Sequence, residues 1–406
     1  MWAILASLMQ SQSDPSHTFD SAPFREEELG AVAPILSWSF GSALGDMEPW
    51  LRKAGLDNVR VVRRRGAIEA CLVVIPMGQF FGGKSVPMFG VAGVASSVEA
   101  RGTGASIELM QRTLRELHAR VVALSTLYPA TLSLYRKVGY ESAGGQYEAR
   151  VPVGAIDVRD RRLPLRAMTP DDDAAIEACY RARATRANGF LDRGPYMWAR
   201  TRNPRNVAVT RGFVVGEAGH VEGYALLNER VDAALHYALH ASDLVATTPR
   251  AHRRLLALAA DHGTLGTHFV WRGAPCDPFV QLLPRNGCEV RLVDPWMLRI
   301  VHFASAMTAR GWPSHVALEL DFDVTDDVIA ENAGRWSVRI AEGRGEVVRG
   351  GKGAIRIDVR ALASLYSGWL DPFALAATGG IDAPEGELEK VAVAFAGGAP
   401  WMPDGF

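Results

Sequence analysis

The stretch Arg101-Gly102-Thr103-Gly104-Ala105-Ser106 is the best candidate in the chain for binding a phosphate. Its glycines carry no Cβ, so the backbone can turn tightly and come close to a ligand. Before it, the small and β-branched run from Val91 to Val98 reads as a strand. After it, Ile107, Met110, Leu114, Leu117 and Val121 recur every three or four residues, the apolar stripe of an amphipathic helix. A strand, a glycine turn and a helix start aim several N–H groups outward, where the helix dipole favours an anion. The loop lacks the Gly-Lys-Ser/Thr of a Walker loop. It also lacks the third glycine and downstream acid of a dinucleotide fingerprint.

Other chemistries find less support. No His-Glu-x-x-His is present among the ten histidines, and no metal site is expected. There is no Gly-x-Ser-x-Gly hydrolase elbow. Cys71, Cys179, Cys276 and Cys288 are far apart, which excludes a zinc ribbon or disulfide scaffold and reads as four small buried hydrophobes. No activated nucleophile is visible, so group transfer is expected to be direct. Trp38, Phe40, Phe80 and Phe81 read either as an aromatic substrate wall or as plain core.

The elements that must position the loop fall into three segments. From residue 21 to 155 the order is helix, strands, glycine loop, helix and strand. Helical signals run from Arg25 to Phe40 and Gly45 to Ala54, and strand signals from Val59 to Arg65, Ile68 to Pro76 and Val121 to Leu127. The order repeats over 156–302, opening on Thr169-Pro170-Asp171, an N-cap with proline at the first helical position. In this copy the junction Thr248-Pro249-Arg250-Ala251 has no glycine, so one cofactor site per chain is expected. The third segment, 303–406, has alternating strands (316–324, 336–340, 346–349, 354–359) and helices near 360–367 and 372–378. Residues 1–20 form an extension.

With 406 residues, 48% hydrophobic and 22% charged, the chain is long enough for several well-buried domains. A net charge of −1 offers nothing to draw nucleic acid or an acidic membrane as a partner. Arg63-Arg64-Arg65 reads as a solvated strand edge. Met1 to Met9 is too short and lacks the basic region of a signal peptide, and no run reaches the length of a membrane span, so a cytoplasmic location is expected.

The chain resembles the Eis (enhanced intracellular survival) family within the GCN5-related N-acetyltransferases. The likeness rests on Arg101-x-x-Gly104 with Ser106 in the last small position, Phe80-Phe81-Gly82-Gly83-Lys84, Leu127-Tyr128-Pro129, Tyr135-Arg136-Lys137-Val138-Gly139-Tyr140, Trp296-Met297-Leu298-Arg299 and Leu365-Tyr366-Ser367-Gly368. It implies an α/β (α+β) fold of tandem acetyltransferase domains, the second without cofactor, followed by a sterol-carrier-protein-like α+β domain. It further implies acetyl-CoA as co-substrate, a primary amine as acceptor (aminoglycoside-like, polyamine, amino-bearing metabolite or lysine) and a homo-oligomer, in characterised members often a hexamer.

By the same resemblance, the backbone of Val94, Ala95 and Ser96 lines the acyl-pantetheine arm, and the N–H groups from Gly102 to Ile107, with Arg101, take the pyrophosphate. Tyr135 holds the general-acid position, and the carboxylate of Phe406 that of the base. Tyr128 and Tyr140 are expected to pack. Two departures bear on function. Gly102-Thr103 replaces further arginines of some members, which leaves more of the phosphate binding to backbone. Ser42 stands where aminoglycoside-active relatives place an acid, which removes a carboxylate that a polycationic antibiotic needs. A non-catalytic carrier, with an apolar ligand in a hollow third domain, is the alternative.

Overall fold

Helices Leu29–Phe40 (α1) and Leu44–Ala54 (α2) lead into a hairpin of Val59–Arg64 (β1) and Ala67–Phe81 (β2), then Lys84–Ser96 (β3) and Ala105–Ala119 (α3). The computed structural model describes residues 19–406 except 21, 205, 206, 208, 218, 234, 285 and 286, so the expected extension over 1–20 lies almost entirely outside the described residues. The chain forms two compact units. The described residues from 19 to 75 and 91–117 make the first, and those of 76–90 and 118–406 the second.

In the first unit α1 buries Leu29, Val32, Ala33 and Leu36, the i, i+3, i+4, i+7 face of an amphipathic helix. β1 pairs antiparallel with β2, Val59 opposite Val73. α3 buries Ala105, Leu109, Met110, Thr113, Leu114 and Leu117. Two residues of the expected stripe depart from it: Ile107 is half-buried, and Val121 lies beyond the helix, exposed, with φ of 58°. The arginine run is also corrected. Arg63 is buried, paired with Glu28 at 2.6 Å and donating to the carbonyls of Ala22 (2.7 Å) and Pro23 (3.1 Å). It ties the chain entry to β1 and is not a solvated edge.

The second unit continues with Leu124–Leu127 (β4), Leu132–Arg136 (α4) and Glu141–Pro152 (β5). The repeated segment supplies Leu165–Ala167 (β6), Asp173–Ala184 (α5), Leu191–Asp192 (β7), Pro195–Arg202 (α6), Arg211–Val215 (β8), Gly223–Ala233 (β9), His236–Ala246 (β10), Pro249–Ala260 (α7), Gly266–Arg272 (β11), Pro278–Gln281 (α8) and Glu289–Ile300 (β12). The third segment holds Phe303–Ala309 (α9), Leu318–Thr325 (β13), Gly334–Ala341 (β14), Arg344–Arg349 (β15), Ile355–Asp358 (β16), Val359–Ser367 (α10), Pro372–Ala377 (α11), Ile381–Asp382 (β17) and Glu385–Ala394 (α12). Of these, α9, α12 and β17 carry no strong sequence signal.

Strand order in this unit's larger sheet is β3-β4-β12-β5-β11-β10-β9-β8-β6. β12, the last strand of the repeated segment, runs antiparallel between β4 (Met297 opposite Leu127) and β5 (Val290 opposite Ala149). The first copy's two strands are thus joined only through a strand of the second. The third segment forms its own sheet, β15-β14-β13-β16-β17. One core nevertheless runs through all three segments, with Phe81, Leu124, Trp296, Phe303, Phe322, Trp336 and Tyr366 in a single cluster. Cys71 and Cys179 are buried as expected, whereas Cys276 is exposed and Cys288 half-buried. No helix among the described residues is long and apolar enough to cross a membrane.

Candidate active site

Gly102 and Gly104 adopt φ of 81° and 87°, the left-handed region where a side chain is strained. Nothing lies within 4 Å of where either Cβ would stand, so it is backbone conformation and not crowding that calls for glycine. The loop is braced from within. Thr103 donates its N–H (3.2 Å) and its hydroxyl (2.8 Å) to the carbonyl of Ala100, and Ser106 and Ser96 share a hydroxyl hydrogen bond of 2.6 Å. That last bond ties the start of α3 to the end of β3. The first intrahelical-type bond runs from Glu108 N–H to the Gly104 carbonyl, at 3.0 Å. The N–H groups of Gly102, Gly104, Ala105, Ser106 and Ile107 therefore have no acceptor among the described residues. A run of free donors at a helix start, beside open space, fits a pyrophosphate. Arg101 is exposed at its edge. Along β3, Ala95 is buried while Val94 and Ser96 are half-buried. Trp38 is 72% and Phe40 52% exposed, off the buried face of α1, whereas Phe80 and Phe81 are core.

In the second unit α4 presents Tyr135, which is buried, and burial pushes its phenol up to about 12. Its hydroxyl makes no hydrogen bond among the described residues, and its ring meets that of Tyr140 edge-on at 6.2 Å. Tyr140 packs as expected but is also bonded to Ser125 at 2.7 Å. Ser125 gives its single proton to the Phe89 carbonyl (2.9 Å), so Tyr140 is the donor. The turn that leads from α4 into β5 is thereby fixed to β4.

The last residues are docked. Met402 N–H donates to the Gly145 carbonyl on β5 at 3.1 Å, and Trp401 N–H to that of Asn188 at 3.2 Å. Tyr128 donates to the Asp404 carbonyl at 2.5 Å, which gives this residue a polar task where packing alone was expected. Gln146 donates to the same carbonyl (2.9 Å), and Arg200 to that of Gly405 (2.6 Å). The Phe406 ring lies edge-on to Tyr128 at 5.7 Å and directly over Gly90, where a Cβ would stand 2.7 Å from it. Gly90 pairs with Thr126 on β4, the neighbour of Ser125, so β4 and its continuation bear the partner of Tyr140 and, at Tyr128, a contact of Phe406. Sequence reading missed Gly90. An isolated glycine in a strand does mark close approach, but not what approaches.

The matching junction of the second copy is closed by its own chain. Thr248 caps α7 by accepting from Ala251 N–H at 3.3 Å, and Pro249 has no N–H to offer. The buried Glu222 carboxylate sits there, bonded by the Thr248 hydroxyl (2.6 Å) and by Arg250 (2.5 Å). His236 and His240 stand four apart, but on a strand. Among the described residues no group of three or more His, Cys, Asp or Glu could hold a metal ion.

Comparison with known proteins accords with this geometry. Residues 22–143 and 189–300 each match an acetyltransferase (GNAT) domain family, and residues 303–403 match the sterol carrier protein domain family. A GCN5-related N-acetyltransferase from Anabaena variabilis is 34% identical, with a TM-score of 0.92 over 96% of this chain and 100% of that one. An uncharacterised N-acetyltransferase of Streptomyces coelicolor is 28% identical over 96% of this chain and 100% of its own. Eis1 from Mycobacterium abscessus shares the fold, with a TM-score of 0.77 at 20% identity over 96% of this chain and 100% of that one. The chain belongs to the GCN5-related N-acetyltransferase family and is an acyltransferase. Its tandem acetyltransferase domains followed by a sterol-carrier-type domain are the Eis-like arrangement.

Proposed function

We propose that this N-acetyltransferase binds acetyl-CoA at the Arg101–Ile107 loop and transfers the acetyl group directly to a primary amine. The free N–H groups at Gly102 and at residues 104–107 carry the reading, because an anion is what such a cluster stabilises. Val94, Ala95 and Ser96 would line the acyl arm. A backbone N–H there, aimed at the thioester oxygen, would stabilise the developing oxyanion. Tyr135 would donate a proton to the departing thiolate. With its phenol raised to about 12 it is fully protonated at neutral pH, and its hydroxyl has no competing partner among the described residues. The carboxylate of Phe406 would receive the ammonium proton, directly or through water. Trp38 and Phe40 are exposed and remain candidates for substrate contact.

One cofactor per chain is the reading for the second copy, since Glu222 already supplies the negative charge at its helix start. The acceptor class is a small amine, and the absent acid at Ser42 points away from aminoglycosides. Against a carrier role, the third segment's interior is filled by Phe303, Phe322 and Trp336. A cavity of about 630 Å³ beside it is open and mixed in character, with Arg136, Glu141, Arg356, Asp358 and Asp382 standing among Ile357, Trp369, Leu370 and Leu375, and is not a closed apolar chamber. Titration calorimetry with acetyl-CoA tests the whole proposal. Binding to the native protein and none to Gly104→Glu is expected; binding that ignores the substitution rejects the site.

A further inference from the structure

Three charged side chains are buried together where the last residues enter the protein. Arg193 bonds Asp243 with two nitrogens (2.6 and 3.1 Å) and Asp404 with Nε at 2.9 Å. The guanidinium lies 3.8 Å from the centre of the Tyr180 ring and 4.9 Å from that of Trp198. The Tyr180 hydroxyl has two acceptors for its one proton, the Leu191 carbonyl at 2.8 Å and Asp404 Oδ2 at 3.2 Å, and Tyr224 donates to Asp243 Oδ2 at 2.7 Å. Burial works against the charge on Arg193, and Asp243 and Asp404 more than restore it. Such a chain of buried charges adds little net stability, because desolvation offsets the attraction. What it supplies is one geometry, set by a planar fork that fits two carboxylates. Asp404 is the only member from the tail, and it stands two residues before Phe406.

We infer that Arg193 is a positioning residue: through Asp404 it locks the tail so that Phe406 stays seated on Gly90 and Tyr128. This rests on the proposed role of the Phe406 carboxylate. Tyr128, Gln146 and Arg200 hold the carbonyls of Asp404 and Gly405, and among the described residues only Arg193 grips a tail side chain by charge. The backbone bonds of Trp401 and Met402 fix the chain before Asp404, but beyond them carbonyl bonds alone leave the last residues free to rotate. A tail held also at a charged side chain has a single register.

Carboxypeptidase A, which removes a C-terminal phenylalanine, reads the lock directly. Asp404→Asn keeps the side-chain size and removes its charge; Arg200→Met, on a half-buried residue, releases the Gly405 carbonyl without touching the core. Both are expected to lose Phe406 about tenfold faster than the native chain, since the opened tail becomes more populated. Asp326→Asn weakens a buried ion pair elsewhere in the same unit, and its release rate should match the native one. In Asp404→Asn, kcat should fall by up to about 100-fold while the KM for acetyl-CoA stays within about twofold, the mark of misplacement and not of lost binding. Equal release from Asp404→Asn and native chains overturns the lock, as does equal acceleration in Asp326→Asn. Deletion of Phe406 separates the two ideas. If it leaves kcat unchanged, the carboxylate role fails while the lock stands on the release rates. If it lowers kcat and Asp404→Asn does not, the positioning role fails alone.

Discussion

Burial shapes what Tyr135 is able to do. A phenol raised to about 12 never ionises near neutrality, so its use is to give a proton and not to take one. Tyr135→Phe is expected to lower kcat by about 10²–10⁴-fold, the usual weight of a positioned acid. The Kd for acetyl-CoA should not change, and steady-state kinetics beside calorimetry will show whether it does. Gly90 makes a sharper test of the tail, because an added methyl group would stand 2.7 Å from the Phe406 ring. In Gly90→Ala the ring has to move, and kcat should fall about tenfold or more with little change in Tm. One residue appended after Phe406 shifts the carboxylate by a full residue and should reduce turnover about 100-fold. Unchanged turnover in that extended chain would remove the carboxylate from the reaction.

At the scale of elements, β12 and the chain entry carry most of the consequences. β12 brings Arg299 to Asp326, where Nη2 meets the carboxylate at 2.7 Å with both side chains fully buried. Asp326 also accepts from Val328 and Ile329 N–H, each at 3.0 Å. Removing the acid strands a buried cation, so Asp326→Ala should cost about 3–5 kcal/mol in urea unfolding. The chain entry depends on pH in a definite direction. Arg63, hydrogen-bonded to Glu28, holds that carboxyl down at about 2, against 4.5 when free. A lowered acid contributes stability that is complete above about 4.5 and is lost as pH falls toward about 2. The native chain should therefore exceed Glu28→Gln in stability at pH 6, and the gap should narrow through that window in parallel acid titrations.

For the molecule as a whole, the two copies differ in what sits at the start of the corresponding helix. One ends its loop in N–H groups without an acceptor among the described residues, and the other has Glu222 there already. Calorimetry should accordingly return one acetyl-CoA per chain. Two would mean that the glycine-free junction also accepts the cofactor. A thiol-release screen over small amines, polyamines and aminoglycosides then addresses the acceptor, with aminoglycosides expected at the weak end for want of an acid at Ser42.

Local chemistry could be read from the residues in order. Gly102 and Gly104 signalled their left-handed turn, the spacing of Met110, Leu114 and Leu117 signalled one helix face, and Thr169-Pro170 signalled a capped start. Each of these depends on neighbours within a few positions, where backbone sterics and periodicity act. The same rules fell short where the partner is remote. Arg63 looked solvated because Glu28 lies 35 residues away, and Tyr128 looked like packing because Asp404 lies 276 residues away. No periodicity in Trp296-Met297-Leu298-Arg299 says that the strand belongs between β4 and β5. Strand partners are chosen by long-range burial and backbone pairing, which leave no local trace. The loop and its preference for an anion are therefore properties of a short stretch of sequence. The seat of Phe406, the grip of Arg193 and the inserted strand exist only once distant segments share one core.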